Sequence, residues 1–329
     1  MCMSHGKTVH TDPADPEEVS RLVSRRGFMR TAAATGAVVG VSGVAGALAT
    51  PAHAQETSSH SRHSIPPDRI SIQLFTLRDQ LAADLNGTLA ALHRIGYTRV
   101  EHAGFVGRTA AQFKAALDAN HLRSTSGHVT IPQPFDPAAW RASLADARVL
   151  GSRYIVHPFF GIDFGTGAVT RTLAPWRAFA RDLNRAGAMA RDAGLQLGYH
   201  NHNWDFFRLT DSPSRSGHDV LAAETDPDLV HLEVDLFWSW RGARDPVDLI
   251  NQHRGRVRQF HVKDMNQAGS FEDPGQGLID FGRVFAHSGE AGTAEYIVER
   301  DDAGTAPRQP ADALSTARVG YDYLRAIRF

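Results

Sequence analysis

Short runs rich in β-branched and aromatic residues alternate with longer patterns of helical period along most of this chain. A run at 70–75 (ISIQLF) precedes a helical pattern at 85–94, and a run at 98–103 (TRVEHA) precedes one at 110–120. The same unit recurs six more times, and the last helical pattern covers 312–326. Eight consecutive strand–helix units predict an α/β fold, a closed (β/α)8 TIM barrel. A doubly wound open sheet is the alternative fold for the same pattern.

Each predicted strand ends at or near a polar side chain. In chain order, these side chains are Gln73, Glu101, His128, His157, His200, Asp235, His261 and Glu299. The carboxyl ends of parallel barrel strands converge on one mouth, so the pattern predicts a functional site there. Side chains two positions apart on a strand point the same way. Three pairs follow from this rule, namely His200 with His202, Glu233 with Asp235, and His261 with Lys263.

Four of these polar ends, on the fifth to the eighth predicted strands, offer imidazole and carboxylate groups. They are His200, Asp235, His261 and Glu299. The only cysteine, Cys2, lies in a predicted leader, so thiolate ligands are not expected. Two nitrogens and two oxygens suit one divalent ion such as Mn²⁺, Co²⁺ or Zn²⁺ better than Ca²⁺. The sequence therefore predicts a metal site at the mouth.

Charge and aromatic content favour a small-molecule partner. The formal net charge is −1, with acidic and basic residues interspersed, so neither a nucleic-acid footprint nor a polybasic membrane patch is expected. Trp204 and Trp238 follow the fifth and sixth predicted strands and are expected to stack on a sugar ring. Gln73, Glu101 and His128 are expected to contact the same substrate. The sequence leaves open whether the chain forms a homo-oligomer.

The N-terminal segment has the pattern of an export leader. Arg25 and Arg26 lie in SRRGFMR, which precedes a weakly apolar run at 31–50 and then a small-residue cleavage pattern. This order is typical of twin-arginine signal peptides, and the run is too short and too rich in glycine for a stable membrane anchor. We expect export by the twin-arginine machinery to the periplasm or the exterior. The predicted organisation is a removed leader at 1–54, a disordered lead-in at 55–67 and a barrel at 68–329.

Seven short motifs occur in an order that resembles a known family. They are QLFTLRD, VEHAGFVG, GYHNHNWDF, EVDLFW, HVKDM, GQGLIDF and YIVERD. Over nearly all of the chain after the leader, the sequence resembles the sugar phosphate isomerase/epimerase group of the xylose-isomerase-like TIM barrels. The resemblance implies a keto-sugar or polyol substrate and one divalent metal at the mouth. The ligand positions carried over are His200, Asp235, His261 and Glu299.

The resemblance also implies an enzyme that removes a proton next to a sugar carbonyl. Ketose 3-epimerases of this superfamily have a glutamate as ligand and acid/base where this sequence has His200, which argues against a symmetric two-carboxylate mechanism. Glu299 is the expected base, and the candidates for a second proton-transferring group include His157, His202 and Lys263. Return of the proton gives isomerisation or epimerisation. Loss of a β-substituent gives dehydration or cleavage of a 3-keto-glycoside.

Two other functions stay open at this point. A non-catalytic exported sugar-binding barrel is the main alternative, because a fold does not prove an activity. An endonuclease-like phosphodiesterase is less favoured, because Trp238 stands where that branch has a metal-binding histidine and because the surface is not basic.

Replacing both leader arginines (Arg25→Lys, Arg26→Lys) is expected to keep the precursor in the cytoplasm with its leader uncleaved, because the arginine pair is the recognition signal. Cell fractionation and immunoblotting measure the outcome. Lys7→Arg, elsewhere in the leader, is the control and is expected to leave export unchanged. Normal export of the double-lysine form would show that the leader has been misinterpreted.

Overall fold

The computed structural model describes residues 63–304 and 312–329. The predicted leader and the first part of the predicted lead-in, 55–62, lie outside the described residues. Within the part of the chain that the structure describes, no helix combines the length and the apolar character needed to cross a bilayer.

Eight strands form the barrel, and they coincide closely with the predicted runs. They are β1 (Ile70–Ile72), β2 (Arg99–His102), β3 (Arg123–Gly127), β4 (Tyr154–His157), β5 (Gln196–His200), β6 (Val230–Asp235), β7 (Val257–Val262) and β10 (Glu295–Val298). A separate antiparallel hairpin, β8 (Asp264–Met265) with β9 (Phe271–Glu272), follows β7. The first strand is shorter than predicted, because the Gln73 side chain accepts a hydrogen bond from the Phe75 amide and begins a 3₁₀ turn.

The barrel strands are parallel, and the wall closes through two single bridges. Six strands form a continuous sheet in the order β1-β10-β7-β6-β5-β4, and β2 pairs with β3 in a second sheet. A bridge between Gln73 and Glu101 joins β1 to β2, and a bridge between His128 and Val156 joins β3 to β4. These bridges complete a ring of eight strands, which confirms the predicted barrel and excludes the open sheet.

Helices connect the strands and cover the outside of the ring. They are α1 (Arg78–Ala83), α2 (Leu85–Ile95), α3 (Ala110–Ala119), α4 (Pro137–Leu150), α5 (Leu173–Asp192), α6 (Gly217–Glu224), α7 (Leu236–Arg241), α8 (Pro246–Gln252), α9 (Phe281–Phe285), α10 (Ser288–Ala291) and α11 (Ala313–Ala326). Capping residues set several of the starts. Thr109 and Gln112 form a reciprocal capping box at α3, and Asp136 caps α4 just before Pro137.

Large apolar side chains fill the layer between the helices and the strands. Phe113 of α3, Trp140 of α4 and Phe179 of α5 are each almost completely buried. The indole nitrogen of Trp140 donates to the Ala186 carbonyl at 3.1 Å, so its polar atom is satisfied. Complete burial of a phenylalanine side chain contributes about 2 to 3 kcal/mol, so this layer supplies much of the energy that holds the helices to the barrel.

The folded domain begins earlier than the predicted boundary at residue 68. The His63 amide donates to the Phe329 carbonyl at 2.8 Å, and the Phe329 amide donates back at 3.2 Å. Ile65 is 2% exposed and belongs to the main hydrophobic core. Residues 63–67 are therefore ordered, which corrects this part of the predicted lead-in. The Ser/His/Pro-rich composition of the segment gives no sign that Ile65, within the described residues 63–67, belongs to the core.

A buried aspartate fixes the loop that follows the hairpin. Asp264 Oδ1 accepts hydrogen bonds from the amides of Met265 at 2.8 Å and Ile279 at 3.0 Å. Its Oδ2 accepts from the amides of Gly275 and Gly277, each at 2.9 Å. One carboxylate thus satisfies four backbone donors and holds the loop against the end of β7.

Asp264→Ala is expected to lower the free energy of unfolding by about 3 kcal/mol or more, because four amide donors lose their acceptor. Urea denaturation followed by circular dichroism measures the loss. Asp280→Ala is the matched control, because Asp280 is an exposed helix cap that binds only the Arg283 amide, and its loss should cost about 1 kcal/mol. Equal losses in the two variants would contradict the anchoring role of Asp264.

Candidate active site

The carboxyl ends of four neighbouring strands bring polar side chains together at the mouth. His200, Asp235 and His261 lie on β5, β6 and β7, and Glu299 directly follows β10. Each of the four offers one nitrogen or oxygen, and these atoms lie within 4.8 Å of one another. All four residues are buried. The structure therefore brings together the residues that the sequence predicts as metal ligands.

Glu233, on β6, is the centre of an adjoining cluster. Its Oε1 lies 2.8 Å from His128 Nε2, 3.0 Å from His200 Nδ1 and 3.0 Å from His261 Nε2. The sequence analysis places Glu233 on the same face as Asp235 but gives it no role. Its spacing of two residues from Asp235 was the available signal. One carboxylate oxygen thus contacts three imidazoles beside the predicted ligand set.

Glu233 orients two of the predicted ligands. An ionised carboxylate only accepts hydrogen bonds, so Glu233 favours protons on His200 Nδ1 and His261 Nε2. The other nitrogen of each ring then faces the ligand set. His200 Nε2 lies 3.7 Å from Asp235 Oδ2, and His261 Nδ1 lies 2.7 Å from Glu299 Oε2. Carboxylates that fix imidazole orientation in this way commonly surround protein metal sites.

Glu101 links the residues that the sequence predicts as substrate contacts. Its Oε1 accepts from Gln73 Nε2 at 2.8 Å and lies 2.7 Å from His261 Nε2, and its Oε2 accepts from the Ser126 hydroxyl. His128 Nε2 lies 3.2 Å from Glu101 Oε1. Gln73, Glu101 and His128 therefore form one connected polar network that meets the metal-ligand candidates at His261.

Lys263 places a buried ammonium group among three carboxylates. Its Nζ lies 2.8 Å from Glu299 Oε2, 2.9 Å from Asp301 Oδ1 and 3.0 Å from Asp235 Oδ2. Burial alone would lower the pKa of Lys263, but these carboxylates hold it well above its usual value. Asp301 was absent from the sequence prediction, although its spacing of two residues from Glu299 was visible. Lys263 is thus a fixed positive charge at the site.

The pKa values of two predicted ligands shift in opposite directions. Burial raises the pKa of Asp235 to about 6. Burial alone would also raise the pKa of Glu299, but the charges of Lys263 and His261 hold it well below its usual value. Glu299 is therefore ionised, and its Oε2 already contacts two cationic donors. This arrangement favours the predicted role of Glu299 as a ligand over its predicted role as a base.

The arrangement of donors fits a divalent cation. The charges of Glu233 and Glu299 hold the pKa of His261 well above its usual value, against the effect of burial. Buried carboxylates that stabilise an imidazolium provide the electrostatic environment that a bound cation needs. Asp235 Oδ2 is buried and accepts no hydrogen bond of normal geometry, although Lys263 Nζ lies 3.0 Å away. Two imidazole nitrogens and two carboxylate oxygens suit Mn²⁺, Co²⁺ or Zn²⁺.

His157 does not join the cluster, which corrects its predicted place at the mouth. In the register between β4 and β5 it pairs with Tyr199, whose side chain points opposite to that of His200. Its ring lies 4.8 Å from that of Phe179 on α5, and its Nδ1 accepts from the Ile131 amide at 2.9 Å. Burial lowers the pKa of His157 to about 3. This histidine therefore packs under a helix instead of transferring protons.

His202 and two tryptophans form one wall of the mouth. The His202 ring stacks on Trp204 at 4.3 Å between centroids and lies 5.1 Å from the His200 ring. The Trp238 ring lies 5.4 Å away on another side. His202 Nδ1 and Trp238 Nε1 are buried without a hydrogen-bond partner, and Asp205 anchors the loop by accepting from the His202 amide at 3.1 Å. The wall thus combines aromatic faces with a ring nitrogen that makes no internal bond.

A family model described as the xylose isomerase-like TIM barrel matches residues 89–324, which is more than half of the chain. The chain therefore belongs to the xylose isomerase-like TIM barrel family, as its motifs predict. The matched range contains all four metal-ligand candidates, together with Glu233 and Lys263.

Individual relatives are more distant. The fold is similar to that of a sugar phosphate isomerase/epimerase from Parabacteroides distasonis, with a TM-score of 0.66 and 23% identity over 84% of this chain and 98% of that chain. The IOLI protein, whose crystal structure contains a zinc atom, aligns with a TM-score of 0.59 and 14% identity over 78% and 96%. An inosose dehydratase of Lacticaseibacillus casei is 28% identical over 165 residues, 45% of this chain and 54% of that protein. The chain thus spans about half the length of the curated relatives it matches.

Proposed function

We propose that the protein is an exported, divalent-metal-dependent lyase that acts on a keto-sugar or keto-glycoside. It removes the proton next to the carbonyl and expels a substituent from the neighbouring carbon. The observation that carries this proposal is the buried set of His200, Asp235, His261 and Glu299 at the barrel mouth. Similarity to an inosose dehydratase and to a sugar phosphate isomerase/epimerase supports a sugar-like substrate. Isomerisation or epimerisation would share the same first step.

The four clustered residues would hold the ion. Glu233 would keep the ring protons of His200 and His261 on the nitrogens that point away from the ion. When bound, a divalent ion supplies Lewis-acid stabilisation of the negative charge that develops on the carbonyl oxygen as the neighbouring C–H bond breaks. The zinc atom in the structurally similar IOLI protein supports the proposal that a barrel of this fold holds a divalent metal. Lys263 would add a fixed positive charge beside the same position and would help to stabilise the negative charge that develops on the substrate oxygen.

We assign removal of the proton to His202 instead of Glu299. Burial lowers the pKa of His202 well below its usual value, so the ring is neutral and can accept a proton. Its Nδ1 has no hydrogen-bond partner, whereas Glu299 Oε2 contacts both Lys263 and His261. The His202 nitrogen thus keeps a free lone pair, whereas the Glu299 oxygen is already held by two cationic groups, and this difference is the basis of the assignment.

Elimination needs one proton-transferring group, and His202 would serve as that group. His202 takes the proton, the electrons of the C–H bond form a carbon–carbon double bond conjugated with the carbonyl, and the C–O bond at the next carbon breaks. The same imidazolium then protonates the leaving oxygen, which gives an unsaturated ketone and water or an alcohol. Epimerisation needs a second group on the opposite face of the carbon. The fifth-strand position that supplies it in ketose 3-epimerases is His200 here, and its Nδ1 is bound to Glu233.

The remaining mouth residues would position the sugar. Trp204 and Trp238 would stack against its ring, and the network of Gln73, Glu101 and His128 would bind its hydroxyl groups. Export would favour an unphosphorylated glycoside, because sugar phosphates are largely intracellular.

Asp235→Asn is expected to weaken metal affinity by at least about 100-fold, because it removes a charged donor while the loss of an outer-shell partner alone costs 10- to 100-fold. The amide keeps the oxygen that accepts from the Trp238 amide at 2.7 Å, so the start of α7 should persist. Elemental analysis after dialysis and titration with Zn²⁺ and Mn²⁺ measure the change, with the exposed Asp118→Asn as control. Full occupancy in Asp235→Asn would reject the ligand assignment. The absence of stoichiometric metal from the unmodified protein would favour a non-catalytic sugar-binding barrel.

His202→Gln is expected to retain one metal per chain but to slow exchange of the α-proton with solvent by at least about 100-fold, the usual contribution of a general base. Proton NMR in D₂O on a 3-keto-glucoside measures exchange, and mass spectrometry detects the unsaturated product. His93→Gln, on an exposed face of α2, is the matched control. If a metal-replete Glu299→Gln protein lost exchange while His202→Gln kept it, the base would be Glu299, as the sequence analysis expected.

A further inference from the structure

The opposite end of the barrel, where the strands begin, contains a polar cavity of about 540 Å³. The cavity is lined by residues at the beginnings of β2, β4, β7 and β10, namely Arg99, Tyr154, Arg258 and Glu295. The mouth residues lie at the other ends of these strands. This space, called here the basal cavity, is therefore separate from the candidate active site.

The two acidic residues of the basal cavity already share one arginine. Arg99 Nη1 lies 3.2 Å from Glu295 Oε1, and Arg99 Nη2 lies 3.7 Å from Asp68 Oδ2. Glu295 is 1% exposed, and it also accepts from Gln259 Nε2 at 3.3 Å. Arg99 therefore contacts both acidic groups, and its single charge offsets one of their two negative charges.

Three more arginines line the basal cavity without forming an ion pair among the described residues. Arg69, Arg153 and Arg258 line the space, and within the described residues none of their guanidinium groups forms an ion pair. The Arg153 guanidinium lies 5.2 Å from the centre of the Tyr154 ring, which directs it along the cavity wall. The lining of this half-open space thus contains four arginines and two carboxylates, which leaves an excess of positive charge, and Arg69 and Arg153 are exposed.

One residue that lines the basal cavity has a hydroxyl without a partner. Tyr154 is 1% exposed, and its OH makes no hydrogen bond. The interior of a TIM barrel is ordinarily filled by branched apolar side chains. Here the interior near this end is polar. His231 Nε2 lies 3.0 Å from Gln259 Oε1, and the Gln259 amide nitrogen donates to Glu295. The Tyr154 hydroxyl is thus a buried donor without an acceptor, in a cavity wall that also contains arginines without an ion pair.

We propose that the basal cavity binds a small dianion, either a phosphate group or a dicarboxylate. Arg153 and Arg258 supply planar pairs of N–H donors, which match two oxygens of one phosphate or carboxylate group. The buried Tyr154 hydroxyl would donate a further hydrogen bond. The proposal does not depend on the chemistry at the mouth, because no residue is shared between the two sites.

Isothermal titration of the full chain with inorganic phosphate, and in parallel with succinate, tests this at constant ionic strength and in the presence of a chelator. We expect saturable binding of one dianion per chain, and the stronger of the two identifies the ligand class. Arg153→Gln and Arg258→Gln should each weaken binding about tenfold, and Tyr154→Phe should weaken it a few-fold, as expected for charged and neutral hydrogen bonds respectively. Arg148→Gln, an exposed arginine on α4, is the matched control and should leave binding unchanged.

Circular dichroism of each variant confirms that the barrel is folded before its affinity is compared. Absence of saturable binding by both dianions would overturn the proposal. Binding that survives the Arg153→Gln/Arg258→Gln double replacement would also overturn it, because the anion would then lie elsewhere. Acetate as a monoanion should bind at least about tenfold more weakly than the preferred dianion, and equal affinities would contradict the need for two charges.

Discussion

The buried carboxylate of Glu233 is the contact on which the geometry of the mouth depends. A single oxygen reaches imidazoles that come from three different parts of the wall, namely His128, His200 and His261. Because the residue is fully buried, water cannot replace any of these contacts without a cost in free energy. The nitrogens of His200 and His261 that face Asp235 and Glu299 are therefore set by the register of the strands.

Charge couples this geometry to stability. Glu101, Glu233 and Glu299 are all buried, and His261 contacts each of them. Uncompensated carboxylates in such an environment would oppose folding, so the positive charges of His261 and Lys263 are part of what holds the strand ends together. Under the proposed function, an ion at the same place would assume the compensation that the second proton of His261 otherwise gives. Metal binding and closure of the barrel mouth would then share the same contacts.

The sequence predicts the fold well because the strand–helix period and the polar strand ends are local signals repeated eight times. The sequence predicts less well on which face of a strand a side chain lies. His157 ends its strand as His200 does, but the register of β4 against β5 turns it outward, and that register is not visible in either run alone. The importance of Glu233 is hidden for a related reason, because it lies in contacts to side chains from both neighbouring strands and from the end of β3. The four hydrogen bonds of Asp264 likewise join residues up to fifteen positions apart, beyond the reach of a turn pattern.

The two single bridges divide the ring into a sheet of six strands and a sheet of two strands, β2 and β3. The metal-ligand candidates all belong to the continuous sheet of β5, β6, β7 and β10, whose neighbours are joined by full ladders. Gln73, Glu101 and His128 lie at the thin joints on either side of β2 and β3. The metal-ligand candidates consequently lie where the strands are joined by continuous ladders, while the other three side chains lie where strands are joined by single bridges. Changes at Gln73, Glu101 or His128 therefore alter no ladder between the strands that carry the metal-ligand candidates.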